Sequence, residues 1–145
     1  MSVPPFQPAG VDHIVLWVDD MAAARRFYVD VLGCRPAWSF PEIAMEHLWF
    51  GPVVLGLWDR TDPRAAYAVP PRGGNVDHVA LAVGPFDRDA LVAHLAAHGV
   101  EVERELVQTG ARGEGLAIYV RDPSGNRIEI KGPPSQPPGP PESEA

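Results

Sequence analysis

Two histidines sit at matching places in a repeated octapeptide. Val11-Asp12-His13-Ile14-Val15-Leu16-Trp17-Val18 recurs as Val76-Asp77-His78-Val79-Ala80-Leu81-Ala82-Val83, with five of eight positions identical at an offset of 65. Both stretches read as strands, and alternation puts His13 with Val15 and Trp17, and His78 with Ala80 and Ala82, on the less aliphatic face. Further on, Glu129 shares a face with Arg127 and Lys131, opposite Ile128 and Ile130. Two imidazoles and one carboxylate suit a divalent metal with open coordination positions, and such a metal acts as a Lewis acid on substrate oxygens. A separation of 65 residues gives no local ligand spacing, however. Polar positions within strands, and a solvated charged face at 127–131, account for the same residues without a metal.

Other side chains could assist. His47 alternates with Trp49 and Glu46 with Leu48, so one of the two polar residues faces a groove. His47 is the better base, and a surface position is its alternative. Arg112 lies in Thr109-Gly110-Ala111-Arg112-Gly113-Glu114-Gly115, where three glycines make a mobile cover and the guanidinium offers a fork of donors. A flexible hairpin with a solvated arginine is the competing reading. Trp17, Trp49 and Trp58 read as groove wall or dimer contact, because tryptophan supplies apolar area and one donor. Cys34 follows the helix-ending Gly33 without an activating partner and reads as structural.

The elements that must position these groups follow the repeat. After each octapeptide comes a helix, expected at 20–32 and 86–98, opened by aspartate and closed by Gly33 or Gly99. Three shorter strands are expected in each half: at 36–40, 44–50 and 53–58, then at 102–107, 115–120 and 127–131. Asp122-Pro123-Ser124-Gly125-Asn126 is a strong turn. The fold class is α+β, with two tandem βαβββ modules. Side by side they are expected to make one curved eight-stranded sheet with the helices outside and a shared groove inside. Aligning the last strands of the halves sets Gly56 where the second half has Glu129, so a fourth protein donor is missing and space is left for water or substrate.

The modules are expected at 11–60 and 76–131, with a Pro- and Gly-rich linker at 61–75. Proline crowds the ends, so 1–10 and 132–145 are expected to be disordered tails. Nineteen acids against twelve bases give a net charge of −7 with no basic run, which argues against nucleic acid or an anionic membrane as partner and leaves a small molecule or a protein. The N-terminal stretch lacks the features of a signal peptide and one cysteine excludes an internal disulfide, so a cytoplasmic location is expected.

The two strands with His13 and His78, the paired βαβββ halves, and the run Tyr119-Val120-Arg121-Asp122-Pro123-Ser124-Gly125-Asn126-Arg127-Ile128-Glu129-Ile130 resemble the vicinal oxygen chelate superfamily over about residues 11–131. That group contains glyoxalase I, extradiol dioxygenases, fosfomycin-resistance thiol transferases and metal-free bleomycin-resistance proteins. The resemblance implies a glyoxalase-like fold, with His13, His78 and Glu129 as ligands of a divalent ion (Fe, Mn, Ni, Co or Zn). It implies a small substrate that chelates the ion through two adjacent oxygens, and a homodimer in which subunits can share a site. Gly56 departs from glyoxalase I, which has a further ligand there. Arg112 stands where extradiol dioxygenases have a histidine, although Tyr119 retains the power to donate to an oxyanion. The activities implied are a glyoxalase-like lyase or isomerase or a dioxygenase, assisted by Tyr119, Arg112 and His47. The alternatives are metal-free sequestration of a drug-like molecule, as in bleomycin-resistance proteins, and a vestigial metal site in an interaction module.

Overall fold

A computed structural model describes residues 11–69, 76–108 and 110–135. The expected tails at 1–10 and beyond 135, and the linker part at 70–75, lie outside the described residues. Contacts divide the chain into two compact units, Met1–Val69 and Pro70–Ala145.

In the first unit, β1 (His13–Val18) leads through α1 (Met21–Arg26) to β2 (Arg35–Phe40), β3 (Met45–Phe50) and β4 (Val53–Asp59). The sheet order is β1-β4-β3-β2, with β1 parallel to β4 and the other pairs antiparallel. Asp20 caps α1: its carboxylate accepts from the Ala23 N–H at 2.9 Å. The helix expected at 20–32 is α-helical only to Arg26 and continues as a π-helical turn over Phe27–Val31. The Leu32 N–H reaches back to the Phe27 carbonyl at 3.1 Å, and the wider turn leaves two consecutive aromatic residues, Phe27 and Tyr28, both buried.

The second unit repeats the plan with β5 (Val79–Ala82), α2 (Arg88–Ala97), β6 (Arg104–Gln108), β7 (Gly115–Arg121) and β8 (Arg127–Lys131), in the order β5-β8-β7-β6. Its helix starts two residues later than the spacing suggests, because Asp87 serves as the cap outside it, accepting from the Ala90 N–H at 3.0 Å. The eight strands thus form two four-stranded sheets, one per unit. The Asp122 carboxylate ties the turn between β7 and β8, accepting from the Ser124 and Asn126 amides at 2.9 and 2.8 Å.

Strand alternation sorts the faces as expected. Leu16, Val18, Leu48, Leu55 and Leu57 are buried in the first unit, and Val79, Leu81, Ile118, Ile128 and Ile130 in the second. The opposite faces carry the histidines, most of the tryptophans and Glu129. No helix among the described residues is long and apolar enough to cross a membrane.

Truncating one core residue per unit tests this division of faces. Leu57→Ala and Ile128→Ala, both at fully buried positions, should each cost about 2–5 kcal/mol in denaturant unfolding. Val107→Ala, at an exposed position, should change stability by less than about 0.5 kcal/mol.

Candidate functional site

The second unit brings two of the three expected ligands together. His78 Nε2 lies 3.0 Å from Glu129 Oε2. Glu129 is buried, with Ala80 beside it on β5 and Tyr119 beside it on β7, and its Oε1 has no hydrogen-bond partner. His78 stands one residue before β5 instead of within it. Its ring meets Tyr119 edge-on, with centroids 5.5 Å apart.

Burial raises the Tyr119 phenol above its ordinary range, and hydrogen bonding to Glu129 adds to this against the opposing pull of Gln108 and Arg104. The phenol therefore stays protonated across the neutral range and is able to donate a hydrogen bond. The Arg104 guanidinium lies 4.9 Å from the centre of the Tyr119 ring. Neither Arg104 nor Gln108 was singled out by sequence reading. Their place opposite Tyr119 and Gly115 depends on the β6–β7 register.

In the first unit His13 opens β1 and is half exposed. The registers put Gly56 between Val15 and His47, as Glu129 stands between Ala80 and Tyr119. Gly56 is thus the first-unit counterpart of Glu129, and His47 that of Tyr119. His47 is buried, contrary to the surface alternative. It stacks on Trp38 at 4.9 Å between centroids, meets Phe40 edge-on at 5.4 Å, and leaves Nδ1 without a hydrogen bond. A Cβ added at Gly56 would lie 3.6 Å from His47 Nε2 and 3.1 Å from Val15 Cγ2, so imidazole and valine fill the room that a side chain at 56 would need. Burial holds the His47 pKa below its usual value, nearby His13 adds to this, and the Trp38 backbone opposes it. Trp17 and Trp58 stack at 4.7 Å, and Trp49 meets Trp38 edge-on.

Both histidines of the repeat carry a neighbour that sequence reading did not assign. His13 Nδ1 is 2.6 Å from an Asp12 oxygen, and His78 Nδ1 is 2.7 Å from an Asp77 oxygen. A carboxylate at Nδ1 fixes the orientation of the ring, the usual arrangement around a metal-binding histidine, and at His78 it aims Nε2 at Glu129 Oε2, a contact that calls for a proton on Nε2 or a cation shared by the two. The Asp-His pair was visible in both octapeptides, but alternation assigns its members to opposite faces. Arg127 reaches Asp77 at 3.1 Å and Glu103 at 2.9 Å, and Glu103 also meets Arg121 at 2.9 Å, so the second pair is braced from β8 and β7.

No group of three His, Cys, Asp or Glu side chains placed to hold a metal occurs among the described residues. The donor types in the second unit nevertheless suit a divalent ion: an imidazole held through Nδ1 and, against it, a buried carboxylate with one oxygen lacking a partner. Arg112 is exposed in the glycine-punctuated segment before β7. Cys34 is buried and its thiol is pushed up to about 11 by that burial, in keeping with a structural role.

Residues 10–130 match the Glyoxalase/Bleomycin resistance protein/Dioxygenase superfamily. Virulence protein STM3117 of Salmonella typhimurium is 35% identical over 124 residues, covering 83% of this chain and 81% of that protein. Its crystal structure superposes with a TM-score of 0.72 at 29% identity, covering 88% of this chain and 99% of that one. The glyoxalase domain-containing protein RDO1 of Mycosarcoma maydis is 31% identical over 121 residues, 83% of this chain and 66% of that protein. A likeness of fold alone extends to the fosfomycin resistance protein FosX of Listeria monocytogenes, in a mutant form complexed with Mn(II) and 1S,2S-dihydroxypropylphosphonic acid. That likeness has a TM-score of 0.64 at 18% identity and covers 86% of this chain and 90% of that one.

The depressed pKa of His47 has a measurable sign. The unfolded chain takes up a proton at this residue near pH 6.5, before the folded chain does, so the stability tied to neutral His47 is present above that pH and is lost as pH falls toward the folded pKa. Thermal midpoints of wild type and His47→Phe, compared at about pH 7.5 and about pH 5, should show the larger acid loss in wild type. Parallel losses would contradict a buried neutral imidazole.

Proposed function

The chain belongs to the Glyoxalase/Bleomycin resistance protein/Dioxygenase superfamily, and from that premise we propose that it is a divalent-metal protein acting on a small molecule with two adjacent oxygen donors. His13, His78 and Glu129 would hold the ion, with His13 supplied by this chain or by a second copy in a homodimer. The observation that carries this reading is the His78–Glu129 pair at 3.0 Å, with Nδ1 of the histidine taken by Asp77 and one buried glutamate oxygen unpartnered. When bound, the ion would supply Lewis-acid chemistry, binding adjacent oxygens and stabilising the negative charge that develops on them. The comparison that supports a metal is the Mn(II) in the FosX complex.

The chain's own residues define the remaining chemistry. The Tyr119 phenol, held protonated by burial and by Glu129, would turn its one O–H from that carboxylate to a substrate oxygen as charge builds there. His47, held neutral, is able to accept a proton from a substrate carbon or hydroxyl within its reach. Arg112 brings a guanidinium to the ligand from its glycine-rich segment. Trp17, Trp49 and Trp58 line the first unit's open face, where Gly56 keeps the position free of a carboxylate. This arrangement favours a glyoxalase-like lyase or isomerase, or a dioxygenase.

A second reading is supported by the aromatic character of the first sheet. Trp38 and Phe40 remain 45% and 42% exposed while packing on His47. Such a surface suits a flat, apolar ligand held without a metal.

Metal analysis of protein purified without chelators separates the two readings. The metalloprotein should carry stoichiometric divalent metal, which His78→Ala and Glu129→Gln abolish, whereas a metal-free wild type that still binds aromatic ligands supports the second. Asp77→Asn should keep the fold and weaken metal affinity by about 10–100-fold. Stripping the metal from an active preparation should end turnover, and adding it back should restore it.

A further inference from the structure

Lys131 is a buried charge to which the reading above gives no task. It is 7% exposed and stands two residues beyond Glu129 on the same face of β8. Its ammonium donates to the Gly113 carbonyl at 2.6 Å, and no carboxylate pairs with it among the described residues. One carbonyl occupies one of three ammonium donors. A clasp on a carbonyl is available to any hydroxyl or amide at a smaller desolvation cost, so a buried cation with one neutral acceptor asks for an anion.

Open space lies next to the register partner of Lys131 on β5. Lys131 is flanked across the sheet by Ala82 on β5 and Ala117 on β7, so no bulky side chain beside it on the sheet walls off the ammonium. Over it lies the segment 110–115, close enough that a Cβ at Gly110 would be 3.5 Å from the lysine Cε and 3.6 Å from Nζ. Within that segment Gly113 adopts a φ of 114°, open to glycine and strained for other residues. Arg112, from the same segment, lines an open cavity with Ala82, Val83, Gly84, Pro133 and Pro134. That cavity therefore borders the register partner of Lys131 and has a cation, but no acid, in its lining. At a strand rise of about 3.3 Å per residue, Lys131 and Glu129 are separated by about 6–7 Å along β8.

We propose that Lys131, with Arg112 supplied by the segment that covers it, forms an anion subsite that selects ligands with a carboxylate or similar oxyanion about 6–7 Å from the oxygens meeting His78 and Glu129. The position of the second end rests on the metal-site reading. The anion subsite itself needs no metal.

The test uses the full chain, prepared metal-free and isotopically labelled, titrated with acetate and in parallel with acetamide, which has the same shape and no charge. Acetate should move the amide signals of residues 110–115 and the Lys131 Cε signal saturably, and acetamide should not. Lys131→Met should weaken the acetate response at least tenfold, while Lys131→Arg, which keeps the charge, should retain most of it. Equal responses to the two probes, a stationary Lys131 Cε signal in wild type, or an acetate response that survives in Lys131→Met overturns the proposal. The Cε signal reads wild-type protein, so the test stands even where a variant disturbs the segment. A parallel Mn(II) titration keeps the two readings apart: absent metal binding with an intact acetate response sinks the metal site alone, and the reverse sinks the anion subsite alone.

Discussion

A carboxylate buried on the face of a four-stranded sheet sets the terms for the second unit. Removing an ionised carboxyl from water costs several kcal/mol unless neighbours compensate. Glu129 has His78 on one oxygen, none on the other, and Tyr119 and Ala80 at its sides. The groups around it follow from that position. Tyr119 is held as a donor by the same carboxylate, His78 is turned toward it by Asp77, and Asp77 is braced through Arg127 to Glu103 and Arg121. A site of this kind is incompletely satisfied by the protein alone, and a cation is the partner its chemistry fits.

The first unit shows what happens to the same scaffold when the carboxylate is absent. The backbone registers are equivalent, yet Gly56 replaces the acid and a buried imidazole replaces the phenol. With no carboxylate to compensate, the face can be apolar: Trp38 and Phe40 pack on His47, Trp49 packs on Trp38, and Trp17 and Trp58 form a separate stacked pair on the same sheet. A neutral His47 is the consistent protonation state there, since an aromatic stack does not replace the water a charged imidazole loses. The duplicated plan thus carries two chemistries, a buried charge in one half and flat apolar surface in the other.

Much of this was legible in the sequence because strand period and helix caps are local. The phase of His13, His78 and Glu129, the equivalence of Gly56 with Glu129, and the tied turn at Asp122 all follow from alternation and turn chemistry. What escaped was set by departures from regularity. Reading residues 76–83 as one strand sends Asp77 to the face opposite His78, whereas β5 begins only at Val79, which frees the aspartate to fold back on the ring. The same holds at Asp12, which precedes β1. The π-helical turn after Arg26 left no mark in the helical spacing, because it is set by the need to bury both Phe27 and Tyr28.

Lys131 shows the same limit from another side. Its alternation with Ile130 and its neighbourhood of Arg127 and Glu129 read equally well as a solvated charged face. Half of that reading holds: Arg127 does belong to an ion-pair network that reaches exposed groups. Glu129 and Lys131 are buried nonetheless, because small and aromatic neighbours cover Glu129 and a glycine-bearing segment closes over Lys131. Burial of a charge on a strand is thus a property of what covers it. Both opposite charges of this strand are buried within two residues of each other without pairing, so each retains unused capacity. Each is therefore open to a partner of opposite sign, a cation at Glu129 and an anion at Lys131.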